Sequence, residues 1–254
     1  MTLTDPSAIH DRGTSTHREI DYRASMAEYF DHSMGSTIEK LENFTKYVPR
    51  QRLAHFLALR ELFGLVLEVH GSIVECGVYL GGGLFSFAQL SAILEPVNYQ
   101  RKIIGFDTFE GLLGTEAKDA AASSHHAHDG GLAADSQADI LAGADLFDQN
   151  RFLAHLPKIS LVRGDLRKTA PAYLREHPHT VVSLLYLDLD LYAPTKAAIE
   201  AFVPRMPKGA VIAFDELNMA NWPGETTAVL ETIGLGELSL RRFPFDPALS
   251  YAVL

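Results

Sequence analysis

A chain of 254 residues, 47% hydrophobic and 21% charged, is long enough to bury a large core and has the balance of an ordinary globular protein. Its net charge of −10 and pI near 5.5 argue against a nucleic-acid or anionic-membrane surface, because phosphate binding needs clustered Lys and Arg. One cysteine, Cys76, excludes an internal disulfide and suits a reducing compartment; no apolar run reaches the roughly 20 residues of a membrane helix, and the opening MTLTDPSAIHDRG is too polar for a signal peptide, so a cytoplasmic location is expected.

Residues 1 to about 17 are polar, punctuated by Pro and Gly, and are expected to be mobile. Residues 18 to 70 read as helical. ASMAEYFDHSM and TIEKLENFTKYV carry apolar residues at three- and four-residue spacing, and RQRLAHFLALRELFGLVLEV is amphipathic, with Pro49 suited to its first turn. This 1–70 region is expected to act as a lid or an oligomerisation element ahead of an α/β domain spanning 71–254. Met26, Tyr29, Phe30 and Met34 read as packing residues, and His55 as a surface or interface residue.

Beyond residue 70 the period changes. SIVECGVY (72–79), RKIIGFD (101–107), KISLVRGD (158–165), TVVSLLYLD (180–188) and GAVIAFDE (209–216) read as strands. LFSFAQLSAILEP and PTKAAIEAFVPRM read as helices, and ELSLRRFPF with LSYAVL as a closing antiparallel pair. Apolar strands alternating with helices predict an open, mostly parallel sheet covered on both faces. Residues 113–150, rich in Ala, Asp, Gly and His, form a connection too long for a simple turn and are expected to be a partly helical lid. His125, His126 and His128 fall there and read as part of a solvated lid rather than as transition-metal ligands.

In such sheets ligands bind beyond the carboxyl ends of the strands. The first strand runs into ECGVYLGGG, where Glu75 closes the strand and Gly77, Gly81, Gly82 and Gly83 would let the backbone approach a ligand; this is neither a dinucleotide fingerprint nor a phosphate loop. Asp107 closes the second strand, where a carboxylate can accept both ribose hydroxyls. Asp165 closes the third, where one can accept an adenine amino group or cap a helix. Together these predict a nucleoside pocket.

The fourth strand ends in Asp188, with Asp190 close behind, and the fifth in Asp215 and Glu216. If these strands are neighbours, the carboxylates converge. Like charges that close repel unless a cation neutralises them, and a hard ion such as Mg²⁺ prefers oxygen ligands. Asp188, Asp215 and Glu216 are therefore read as metal ligands, supported by Asp190. The alternative is that these acids cap helices or pair with Lys196 and Arg205.

The segments IVECGVYLGGG, IIGFDTFEGL and LYLDLDLYAPTKAAIEAFVPRMPKGAVIAFDE resemble the macrocin O-methyltransferase family over residues 70 to about 230. The resemblance implies a Rossmann-like class I methyltransferase: a mostly parallel seven-stranded sheet with an antiparallel final strand, plus N-terminal helices and a lid. It implies that S-adenosylmethionine is held by Glu75, Gly77, Tyr79, Gly81, Gly82, Asp107, Thr108, Asp165 and Asp188, and Mg²⁺ by Asp188, Asp215 and the adjacent acid. Here that acid is Glu216, where an Asp pair is more usual, and LNMANWPGET replaces a shorter tyrosine-led stretch. Trp222 in that stretch is either a platform for a sugar face or a packing residue; Asp190 and Tyr192 are the other candidates for substrate contact.

The expected activity is methylation of a sugar hydroxyl on a bacterial natural-product glycoside, with Asp188 as general base. The partner is that small molecule, with no nucleic acid and no membrane, and the protein is expected to be a homo-oligomer. The alternatives are a metal-dependent methyltransferase of a catechol-like phenol and a non-catalytic nucleoside-binding protein.

Overall fold

The computed structural model describes residues 16–254, so the expectation for the first 17 residues lies almost wholly outside the described residues. Three helices come first: α1 (His17–His32), α2 (Thr37–Glu42) and α3 (Arg50–Leu65). Thr16 and Ser36 cap α1 and α2 with capping boxes completed by Glu19 and Glu39. Pro49 immediately precedes α3, where its missing N–H costs nothing. Phe30 packs edge-on to Tyr47, whereas Met34 is 93% exposed, so the expected packing role of Met34 is not fulfilled in this chain.

The α/β part follows as β1 (Ser72–Cys76), α4 (Gly82–Leu94), β2 (Ile103–Asp107), α5 (Gln137–Asp148), β3 (Ile159–Arg163), α6 (Leu166–Glu176), β4 (Val182–Leu187), α7 (Tyr192–Phe202), β5 (Val211–Phe214), α8 (Pro223–Thr232), β6 (Arg241–Phe243) and β7 (Asp246–Val253). The seven strands lie in the order β3-β2-β1-β4-β5-β7-β6. β1 to β5 are parallel, while β7 runs antiparallel to both β5 and β6. The fold is thus the expected seven-stranded, Rossmann-like class I arrangement, in which the final strand β7 alone runs against the main direction and the edge strand β6 runs with it.

Alternation along the strands divides the core in two. Ile73, Leu184, Tyr186 and Val211 face α3, α4 and α5, packing on Leu59, Leu62, Phe63 and Phe87. Val74, Leu185, Leu187 and Ile212 face α6, α7 and α8, packing on Leu174, Phe202 and Val229. Two helices escape the sequence reading. α6 carries Pro171 within it and a strongly polar sequence, and α8 opens on Pro-Gly, which reads as a turn.

The order reverses between β1 and β4, the topological switch point at which open α/β sheets bind ligands. Leu187 lies beside Phe214 in the parallel register, so the residues that follow β4 and β5 emerge side by side.

Candidate active site

β1 is shorter than its sequence pattern suggests because Gly77 turns out of the sheet at φ 92° and Tyr79 follows at φ 50°. Only glycine fits at residue 77: a β-carbon there would meet the carbonyl oxygen of Asp188 at 1.7 Å. The two central strand ends therefore touch through backbone. Asp107 secures the turn, with Oδ2 accepting from the backbone N–H groups of Val78 (2.7 Å) and Tyr79 (2.9 Å), and Oδ1 from that of Phe109 (2.6 Å).

Above these strand ends lies a cavity of about 400 Å³ lined by residues from every part of the rim. Gly77, Tyr79, Asp107, Thr108 and Asp165 form one side, and Asp188, Asp190, Asp215, Glu216 and Trp222 the other. Leu113, Leu132 and Ala134 bring the 113–150 connection to its wall, and Arg52 of α3 is the one basic residue among the described lining residues. The connection is tied down: Asp119 is buried and accepts the backbone N–H of Tyr192 at 2.9 Å, and Ile140 of α5 joins the core.

Oxygen atoms of Asp188, Asp215 and Glu216 lie within 4.8 Å of one another. Opposite ligands of an octahedral Mg²⁺ stand about 4.2 Å apart, so a small hard cation fits this donor set with modest side-chain adjustment. Glu216 is 6% exposed and its Oε2 has no hydrogen-bond partner, a cost that a cation would remove. Burial, then the charges of Asp215 and Asp190, push the Asp188 carboxyl well above its usual range; burial and the same neighbours do so for Glu216. The cationic partners considered for these acids lie elsewhere. Lys196 is 4.0 Å from Glu200, and Arg205 donates to the Pro178 carbonyl.

One member of this acidic group was not anticipated. Glu225, on α8, is fully buried, and its Oε2 accepts the backbone N–H of Glu216 at 2.7 Å. Its carboxyl is likewise raised, first by burial. A glutamate directly after Pro-Gly is a common first-turn helix residue, so the sequence held no separate signal for it.

Other anticipated residues fall differently. Glu75 does not line the cavity: strand alternation turns it under the glycine turn, 2% exposed, against Gly83. Gly81 and Gly82 belong to the start of α4 and do not line the cavity either. Asp165 does line it but also caps α6, accepting from the Arg167 backbone and pairing with its guanidinium at 2.8 and 2.9 Å. Tyr192 sits away from the cavity because its hydroxyl donates to Glu231 at 2.6 Å and Lys118 packs over its ring. His125, His126 and His128 are not lining residues. His55, expected at the surface, is tied to Asp246 and Tyr186.

The comparisons with known proteins agree with this geometry. A family profile for macrocin O-methyltransferases matches residues 9–229. The structure of CalS11, a calicheamicin methyltransferase, superposes with a TM-score of 0.90 at 34% identity, covering 100% of this chain and 97% of that one. The apo structure of CalS11, described as a TDP-rhamnose 3′-O-methyltransferase of calicheamicin biosynthesis, gives 0.82 at the same 34% identity, covering 99% of each chain. The O-methyltransferase NovP, 19% identical over 79% of both chains with a TM-score of 0.63, shares the fold. No curated protein sequence matches. The chain belongs to the macrocin O-methyltransferase family and is an O-methyltransferase.

Proposed function

We propose that the protein transfers the methyl group of S-adenosylmethionine to a sugar hydroxyl of a bacterial natural-product glycoside, with Mg²⁺ held by Asp188, Asp215 and Glu216. The observation that carries this reading is the convergence of those three carboxylates beside a switch-point cavity in a chain of this family. A sugar acceptor is supported by the 34%-identical relative, a TDP-rhamnose 3′-O-methyltransferase. The protein is taken to act in the cytoplasm as a homo-oligomer. None of its helices among the described residues is long and apolar enough to cross a membrane, and the N-terminal helical region exposes Met34, Ile38, Leu41 and Phe44.

The acidic lining favours a ligand carrying positive charge, and the glycine turn held by Asp107 brings backbone close to it. Bound S-adenosylmethionine supplies an electrophilic methyl group, and a bound hard cation supplies positive charge that makes an adjacent hydroxyl more acidic. Asp188 would accept the hydroxyl proton as the oxygen–methyl bond forms and the sulfur–methyl bond breaks, its electron pair staying on sulfur to leave S-adenosylhomocysteine. Trp222, 6% exposed among the same lining residues, offers a flat apolar face to the acceptor, and Arg52 offers donors from α3. Leu113, Leu132 and Ala134 shield the reacting atoms from water.

The test is turnover of S-adenosylmethionine against a panel of glycosides, nucleotide-linked sugars and catechols, with and without EDTA. Methylation of a sugar hydroxyl that stops on chelation is expected; a catechol preference, or an undiminished rate in EDTA, refutes the corresponding part. Asp188→Asn should lower kcat by about 10²–10⁴-fold while leaving S-adenosylhomocysteine affinity within a few-fold.

A further inference from the structure

The N-terminal helical region reaches the acidic cluster through a chain of side chains that the mechanism above does not use. His55 of α3 places Nδ1 3.1 Å from Asp246 Oδ2, at the start of β7. Its Nε2 is 3.4 Å from the hydroxyl of Tyr186 on β4, and that hydroxyl donates to Asp215 Oδ1 at 3.0 Å. Both ends are held. Asp246 is 5% exposed and also accepts the backbone N–H groups of Ala248 (3.1 Å) and Leu249 (3.3 Å). The Tyr186 ring is buried edge-on to Phe87, with centroids 5.9 Å apart.

Proton counting defines the direction of the chain. A tyrosine hydroxyl has one hydrogen, and here it goes to Asp215, so the Tyr186 oxygen accepts from His55 Nε2–H. A carboxylate only accepts, so His55 Nδ1–H donates to Asp246. With both ring nitrogens donating, His55 is assigned as an imidazolium from this network. The groups facing it are Asp246 from β7, Tyr186 from β4, Asp215 beyond β5, and Arg52 one turn earlier on α3. Burial alone would lower its pKa; the hydrogen bond to Asp246 and the charges of Asp215 and Asp246 outweigh burial and Arg52 and raise it.

We propose that Asp246, His55 and Tyr186 form a hydrogen-bonded chain that fixes the rotamer of Asp215 for cation binding, making His55 and Tyr186 positioning residues of the active site. The inference rests on the reading of Asp188, Asp215 and Glu216 as cation ligands. Its physical basis is that a ligating carboxylate free to rotate must be ordered when the ion binds, whereas one already held by a donor need not be. It also gives α3 a second part in the site, besides Arg52 at the cavity wall.

Mn²⁺ affinity, read by electron paramagnetic resonance of the free ion, tests it in the unaltered protein, Tyr186→Phe, His55→Ala and the double variant. S-adenosylhomocysteine affinity and the thermal transition serve as controls. Tyr186→Phe removes a single oxygen from a buried ring and carries the test even if His55→Ala folds poorly. Each single variant is expected to weaken Mn²⁺ binding at least about tenfold with the controls near their original values. The double variant should lose no more than the worse single, because both act through one chain. Unchanged Mn²⁺ affinity in Tyr186→Phe, or additive losses in the double variant, would overturn the proposal. An unaltered protein that binds S-adenosylhomocysteine but no Mn²⁺ would instead remove the cation reading, and this inference with it.

Discussion

The carboxylate of Asp107 accepts three backbone N–H groups, and that of Asp165 is engaged by Arg167, so both aspartates shape the cavity wall as well as lining it. A strand-terminal aspartate is visible in sequence as an acid after an apolar run; whether it points at a ligand or back at its own turn is not, because both uses favour the same residue at the same place. Gly77 is different, since its φ of 92° and the 1.7 Å clash awaiting a β-carbon leave no substitute. Gly77→Ala is expected to cost about 3 kcal/mol or more of unfolding free energy in urea, because the left-handed backbone and the displaced Asp188 carbonyl are both disturbed. Stability equal to that of the unaltered protein would show that the β1 and β4 ends are not in this contact.

Helix α8 shows how an element can hide both itself and a site residue. Trp222-Pro-Gly before Glu225 resembles a turn, yet Pro223 stands in the first turn of a ten-residue helix that returns Glu225 to the backbone of Glu216. Glu225 therefore both holds the end of β5 and adds to its negative charge, and two substitutions separate these effects. Glu225→Gln keeps an accepting oxygen and removes the charge, so without cation at pH 8.5 its Tm should rise by a few degrees. Glu225→Ala leaves the Glu216 N–H without its partner, at a cost of about 1–3 kcal/mol, and its Tm should fall by several degrees. Calorimetry showing both variants shifted in the same direction would contradict this division. The strands are the opposite case: their apolar runs are continuous and bounded by Asp or Gly, so only their ends were placed too far out.

At the scale of the molecule, the clustered acids make folding depend on pH. Asp188, Glu216 and Glu225 have raised pKa values, so the folded state holds their protons more tightly than the unfolded chain does. Protonation then favours folding, and cation-free stability should fall as pH rises from the ordinary carboxylate range, about 4, through the raised values. A cation that binds only the folded state should restore stability by mass action, and more at high pH than at low. Thermal melts at pH 5.5 and 8.5, with and without millimolar Mg²⁺, check this. A Tm that rises with pH in EDTA, or a Mg²⁺ shift larger at pH 5.5, would contradict it.

The alternation of apolar strands with helices, the acids at strand ends and the family motifs were all present in the order of residues, because each is a local pattern imposed by burial on both sheet faces. They were enough to determine the class of fold and the neighbourhood of the site. Tertiary structure alone decided which of those acids meet. Strand order set β4 beside β5 and β1, bringing Asp188, Asp215 and Glu216 together, while side-chain partners drew Tyr192 away to Glu231 and turned His55 inward to Asp246. Such contacts join residues as far apart as 55 and 246, and a distance that long along the chain leaves no periodic trace at either end.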